Sequence, residues 1–350
     1  MNILVIRFRQ MGDAILSTAL LNSLHETFPE ADIDFVLNDR IAPLFEGHPA
    51  ISNIIGFSDH ERHHTMTYLR KVWQTVHNKH YDAIIDMRST VNTMPFALFS
   101  PSSKYRIGLR KAYTALIYNH RIEECAVNEC MIDYDLRLME PLAAERSLKR
   151  DRRFTLSITD EEKQHFRQHM EQQGVDFSRP VALIGVTTRV ERKTWNEPAM
   201  TWVLQQWLDT NPDVQFIFNY APRKEEENAR RIYRQLISDK RIFIDLQARS
   251  QRELAAMACH IDFYFGNEGG ARHIVHAMGK PSYVVVAPSS DKAKWLPQNG
   301  IPTEGLAVTD LLSAEQLATM TYEQQFEAIG RERVWQELQH FIEQHQICTK

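Results

Sequence analysis

Apolar residues along this chain fall into short unbroken runs, separated by longer stretches with helical spacing. In the first half the runs Asn2–Ile6, Ile33–Leu37, Ile54–Gly56, Ala83–Asp86 and Tyr105–Gly108 read as strands, and Asp13–Phe28 and His64–Asn78 are the longest helices between them. Continuous apolar strands that alternate with amphipathic helices predict a parallel sheet covered by helices. A helical pattern returns over Asp133–Lys149. After Gly174 a second series begins, with strands Val181–Ile184, Gln215–Asn219, Arg241–Ile244, Asp262–Phe265 and Ser282–Val286. Its helices are Pro198–Thr210, Arg223–Ser238, Gln251–Cys259 and Gly270–Met278. The last helix, Glu332–His345, carries Val334, Leu338, Phe341 and Ile342 on one stripe and needs a packing partner, for which the first half is one candidate. The pattern predicts an α/β protein with two Rossmann-like halves, 1–160 and 175–328, and a terminal segment 329–350. Each half has a ligand-type loop, so chemistry is expected in a cleft between them.

Bulk properties narrow the function. The 350 residues exceed the roughly 250–300 at which a single core stops growing, in keeping with two domains. A formal net charge of −4 argues against a general nucleic-acid binder. Cys125, Cys130, Cys259 and Cys348 make no CxxC pair and no zinc-type spacing, which points to reduced thiols in a cytoplasmic setting. Met1 runs straight into a strand, leaving no room for a signal peptide, and apolar runs such as Tyr283–Ala287 are strand-length, so a soluble protein is expected.

Four loops carry candidate chemistry. The turn Arg7-Phe8-Arg9-Gln10-Met11-Gly12-Asp13 follows the first strand. Gly12 can take positive φ and admit a ligand to the backbone. Asp13 is open to two readings, a helix N-cap and a general base ionised at neutral pH. Thr187-Thr188-Arg189 and Lys193-Thr194-Trp195 follow the strand Val181–Ile184, and two hydroxyls with a lysine suit phosphate oxygens as well as an ordinary polar loop. The turn Tyr220–Glu227 puts Glu225, Glu226 and Glu227 in a first helical turn, where acids complement the dipole or bind ribose hydroxyls. In Gly266-Asn267-Glu268-Gly269-Gly270-Ala271-Arg272-His273, a Gly-Gly pair opens a helix whose bare amides can cradle a pyrophosphate, with Arg272 or His273 in support.

Taken in order, these motifs resemble the ADP-heptose:lipopolysaccharide heptosyltransferases, glycosyltransferase family 9. The resemblance runs from the Met-Gly-Asp opening through Thr187-Thr188…Lys193-x-Trp195, Pro222…Glu225, Gly266–His273, Ala277–Pro281 and Trp295-x-Pro297. It implies a GT-B architecture, with the acceptor on the N-terminal domain and the nucleotide sugar on the C-terminal one. It further implies inverting transfer from ADP-heptose to a lipopolysaccharide core without a metal or other cofactor. By that resemblance Asp13 is the base and Lys193 assists the leaving group. Gly12, Thr187, Thr188, Arg189, Glu225, Glu268, Gly269, Gly270 and His273 meet the donor. Arg9, Lys104, Arg106 and Arg110 are the expected acceptor contacts; with Lys111 the last three form a basic stretch that suits an anionic core or is a set of scattered solvated bases. The run Arg146–Arg153 is a candidate for peripheral contact with an anionic inner-membrane face, or a solvated helix end.

One departure stands out: the family has Asp-Thr-Gly where this chain has Glu268-Gly269-Gly270. It keeps open an altered donor, or a catalytically idle relative that binds a nucleotide sugar or glycan. A nicotinamide-dependent oxidoreductase is disfavoured, because neither half has G-x-G-x-x-G after its first strand. His60, His63 and His64 lack any fixed spacing to a carboxylate or cysteine and are not expected to bind a metal.

Overall fold

A computed structural model describes residues 1–347; Cys348 lies outside the described residues. None of Cys125, Cys130 and Cys259 is in a disulfide. The chain divides into two compact units, Met1–Ser157 and a second that begins at Ile158.

The first unit holds strands β1 (Asn2–Ile6), β2 (Asp32–Asn38), β3 (Asn53–Phe57), β4 (Ala83–Asp86), β5 (Tyr105–Leu109) and β6 (His120–Ile122). All pair in parallel, in the order β3-β2-β1-β4-β5-β6. The second holds β7 (Val181–Gly185), β8 (Gln215–Phe218), β9 (Ile242–Phe243), β10 (Phe263–Asn267), β11 (Ser282–Val286) and β12 (Thr303–Ala307), again parallel, in the order β12-β11-β10-β7-β8-β9. Read from the opposite edge, the second sheet repeats the winding of the first. In each, the direction of winding reverses between the first and fourth strands, β1 and β4 or β7 and β10. The carboxyl ends at such a reversal are where open α/β sheets bind ligands.

Burial explains the central strands. Ile3, Leu4, Val5 and Ile6 of β1 and Ala182, Leu183 and Ile184 of β7 are wholly buried, as strands covered on both faces must be. In the first unit Phe8, Phe57, Tyr68 and Phe96 pack edge-on or tilted, with ring centroids 5.4 Å apart for Phe8 and Phe57 and 5.7 Å for Phe57 and Phe96. This cluster fixes the loops that leave β1, β3 and β4. One element departs from expectation. The segment Asp13–Phe28 forms two helices, Met11–Leu16 and Thr18–Thr27. At the junction Ser17 Oγ donates to the Asp13 carbonyl at 2.9 Å and Thr18 Oγ1 to the Ile15 carbonyl at 2.7 Å, side-chain back-bonds of the kind that bend helices. The terminal helix, Arg331–Gln344, finds packing partners within the second unit. Its Val334, Trp335, Leu338 and Phe341 join the second unit's own core, against the helix Glu197–Thr210 and strands β11 and β12. Among the described residues no helix is long and apolar enough to cross a membrane.

Candidate active site

In the first unit the site grows from the carboxyl end of β1. Its helix starts at Met11, with Gln10 as N-cap, so Asp13 is a first-turn residue rather than the cap. Gly12 lies inside that turn and is not among the glycines with positive φ; its value is at most a bare surface near the helix start. Asp13 Oδ1 accepts a hydrogen bond from Arg9 Nη1 at 2.7 Å and lies 3.7 Å from Arg7 Nη2. Arg7 is buried, donates to the Met87 carbonyl at 3.2 Å, and pairs with the fully buried Asp135 at 3.4 Å. Arg88, on the loop after β4, donates to the Phe8 carbonyl at 2.9 Å. Burial and the charges of Arg9 and Arg7 push its guanidinium down, with Asp13 drawing it back up. Asp13 thus stands among the guanidiniums of Arg7, Arg9 and Arg88 at the carboxyl end of the sheet, the end at which open α/β sheets bind ligands.

The expected acceptor bases separate. Arg110 and Lys111 follow β5 at the same end as Asp13; Arg110 pairs with Glu123, and Lys111 Nζ donates to the Arg88 carbonyl at 3.1 Å. Lys104 precedes β5, at the opposite end, and pairs with Glu145. Arg106 folds back onto the carbonyls of Pro101, Ser103 and Ile117. Lys104 and Arg106 are therefore not brought to Asp13: parallel register sends the two ends of β5 to opposite edges of the sheet. The Arg146–Arg153 run is largely neutralised, with Arg146 on Glu30, Arg150 on Glu140, Arg152 on Asp133 and Arg153 on Asp151.

In the second unit the loops after β7 and β10 meet across the winding reversal. Thr187 Oγ1 donates to Glu225 Oε2 at 3.1 Å, which joins the second and third motifs. Thr188 N–H donates to Thr194 Oγ1 at 3.1 Å, and Lys193 Nζ donates to Ser290 Oγ at 3.1 Å. Arg189 is exposed on the same loop. Glu226 pairs instead with Arg230, at 2.9 Å. Glu268 is buried and Gly269 is the uncapped N-cap of the helix Gly270–Ala277. Glu268 Oε1 lies 3.4 Å from His273 Nε2.

Sequence reasoning missed the pins under these loops. Asn267 Oδ1 accepts the Trp195 N–H at 2.7 Å, and its Nδ2 donates to the Gly185 carbonyl at 2.9 Å, so one side chain ties the Lys193 loop to both central strands. Its place between two glycine-bearing motifs was the available signal. Asn267→Ala leaves both buried backbone groups unsatisfied and is expected to destabilise the protein by about 3 kcal/mol; a urea midpoint equal to wild type would refute it. Gly266 has φ +145°, and a Cβ there would lie 2.4 Å from the carbonyl oxygen of Gly185, its register partner on the paired strand β7, so there is no room for a side chain.

The model of glycosyltransferase family 9 (heptosyltransferase) matches residues 69–299, most of the chain. The chain belongs to glycosyltransferase family 9. The family agrees with what the ordered motifs implied. A relative, the lipopolysaccharide heptosyltransferase 1 of Campylobacter coli, is 20% identical over 292 residues, covering 81% of this chain and 83% of that protein. A family 9 glycosyltransferase from Veillonella parvula superposes with a TM-score of 0.83 at 15% identity, over 98% of this chain and 97% of its own. The Escherichia coli heptosyltransferase WaaC, solved with ADP-2-deoxy-2-fluoro heptose, gives 0.69 at 16% identity, over 97% and 99%. These structural likenesses establish a GT-B fold for this family 9 member.

Proposed function

We propose that the protein moves a heptose from ADP-heptose to a lipopolysaccharide inner-core acceptor, with inversion and without a metal. The observation that carries the reading is topological: Asp13 stands at the winding reversal of one sheet, and the Thr187–Lys193 loop and Glu268–Gly270 turn stand at that of the other. In the reaction the acceptor hydroxyl attacks the anomeric carbon, the bond from that carbon to the ADP oxygen breaks, and the hydroxyl proton passes to Asp13. A single displacement inverts the anomeric centre. Lys193 and the amides opening the Gly270 helix take up the charge that develops on the leaving diphosphate. Thr187, Thr188, Arg189, Gly12 and His273 complete the donor contacts, and Glu225, already accepting from Thr187, suits the ribose hydroxyls. Arg9 and Arg110, joined by Arg88 and Lys111, meet an anionic acceptor. The reaction is assigned to the cytoplasmic face of the inner membrane.

The name of the Escherichia coli relative's ligand supports an adenine nucleotide. One feature favours a second reading, a donor sugar other than heptose: a Cβ at Gly269 would meet nothing within 4 Å, so the turn leaves open space where the family carries threonine. Because Gly269 is extended and unobstructed, Gly269→Thr is expected to change stability by less than about 0.5 kcal/mol, and a larger loss on thermal melting would show that the space is already used.

Calorimetry with ADP, UDP, GDP and NAD, without added metal, tests the proposal. Selective ADP binding followed by ADP release from ADP-heptose in the presence of a heptose-free core acceptor supports it. Selective UDP or GDP binding would transfer weight to the second reading, and NAD binding alone would defeat both.

A further inference from the structure

Arg272, in the first turn of the helix Gly270–Ala277, is fully buried. Its Nη2 donates to the Trp295 carbonyl at 2.6 Å and lies 3.0 Å from Nδ1 of His273, whereas Nε and Nη1 have no hydrogen-bond partner. A guanidinium with part of its donor set unsatisfied in a dry interior needs a compensating charge. The carboxylate that faces it is Glu268, four residues earlier, whose Oε1 stands 3.9 Å from Nη2. Burial pushes the Glu268 carboxyl up, but His273, Arg272 and Lys193 outweigh it and bring the group to about 2. Burial pushes the Arg272 guanidinium down, and Glu268 works in the opposite direction. Acid and base are thus held as a buried pair at the very start of a helix.

That position poses a conflict. The amides of a helix start attract a diphosphate, while a carboxylate beside them repels it. We infer that Arg272 is a positioning residue whose charge cancels that of Glu268, so that an acid can occupy this turn without driving off the donor's diphosphate. The inference rests on the reading of the turn as the diphosphate site. Without Arg272, Glu268 would offset Lys193 and leave the turn with only its amides to hold the anion. Arg272 acts through its charge, since its unpartnered nitrogens are shielded from solvent.

The test compares calorimetric binding of ADP and adenosine to the full-length wild-type protein, Glu268→Gln, Arg272→Met and the double variant, at low and high salt. Arg272→Met is expected to weaken ADP binding about tenfold and Glu268→Gln to tighten it about threefold, with both effects shrinking as salt rises. The double variant should return to within about twofold of wild type, and adenosine should bind all four proteins alike, as a purely electrostatic effect on the phosphates requires. A Glu268→Gln protein that binds ADP no more tightly than wild type overturns the inference, as does a double variant as weak as Arg272→Met. If Arg272→Met does not fold, the sign of the Glu268→Gln effect decides alone. Wild-type protein that binds ADP no better than adenosine, with no loss on Lys193→Ala, removes the diphosphate site itself and the inference with it.

Discussion

Asp13→Asn is expected to slow sugar transfer by about 10²–10⁴-fold, the usual contribution of a positioned general base, while changing ADP affinity by less than about twofold. The substitution is nearly isosteric. The amide oxygen can still accept from Arg9 Nη1, now 2.7 Å away, so the local geometry has reason to persist. Arg7 keeps Asp135 as its partner at 3.4 Å. What the amide cannot do is take a proton from an attacking hydroxyl. The two guanidiniums both contact Oδ1, so proton transfer is expected at Oδ2. Single-turnover rates with ADP-heptose and a core acceptor, set beside ADP calorimetry on the same samples, check this. Turnover at the wild-type rate would remove Asp13 from the base role; equal losses of rate and ADP affinity would assign it to binding.

Lys193→Ala is expected to weaken ADP binding by about 10- to 100-fold, or roughly 1.4–2.8 kcal/mol, and to leave adenosine binding unchanged. The lysine is already held toward Ser290, with Nζ 3.1 Å from Oγ, so little side-chain freedom is lost when a phosphate arrives. It also contributes to keeping Glu268 ionised. The same variant should show a shallower dependence of ADP affinity on salt, since one fixed positive charge has gone. Unchanged ADP affinity would put the phosphate site elsewhere on the second unit.

Much of the fold was legible because its central strands are unbroken apolar runs, and β1, β4 and β11 have the bounds that the sequence suggests. The strands that escaped are edge strands. β6 is three half-buried residues, and β12 reads Thr-Glu-Gly-Leu-Ala, with Gly305 at a point where a Cβ would lie 2.4 Å from the Val284 carbonyl oxygen. A strand whose glycine is required by a neighbour's backbone looks like a turn in one dimension. The candidate site divides along similar lines. Thr187, Lys193 and Glu268 follow strands directly, so position in sequence and position in space coincide. Arg7 and Asp135, 128 residues apart, meet only when the sheet is assembled, and no local pattern announces them. Lys104 and Arg106 misled because four bases within eight residues look like one patch, although a strand between them carries its two ends to opposite edges.

The close pairing of β7 and β10 at Gly185 and Gly266 sets a boundary on how this protein can change. At Gly266 even one added carbon would strike the Gly185 backbone, and at Gly185 it would fall 2.0 Å from the Tyr264 hydroxyl. On the donor reading proposed above, substitutions that retune donor choice belong in the loops past these two glycines, chiefly Thr188–Lys193 and Gly269. A mutant library restricted to those exposed or half-buried positions should retain folded members at high frequency, whereas one that includes the two paired glycines should be dominated by protein that never reaches the native state.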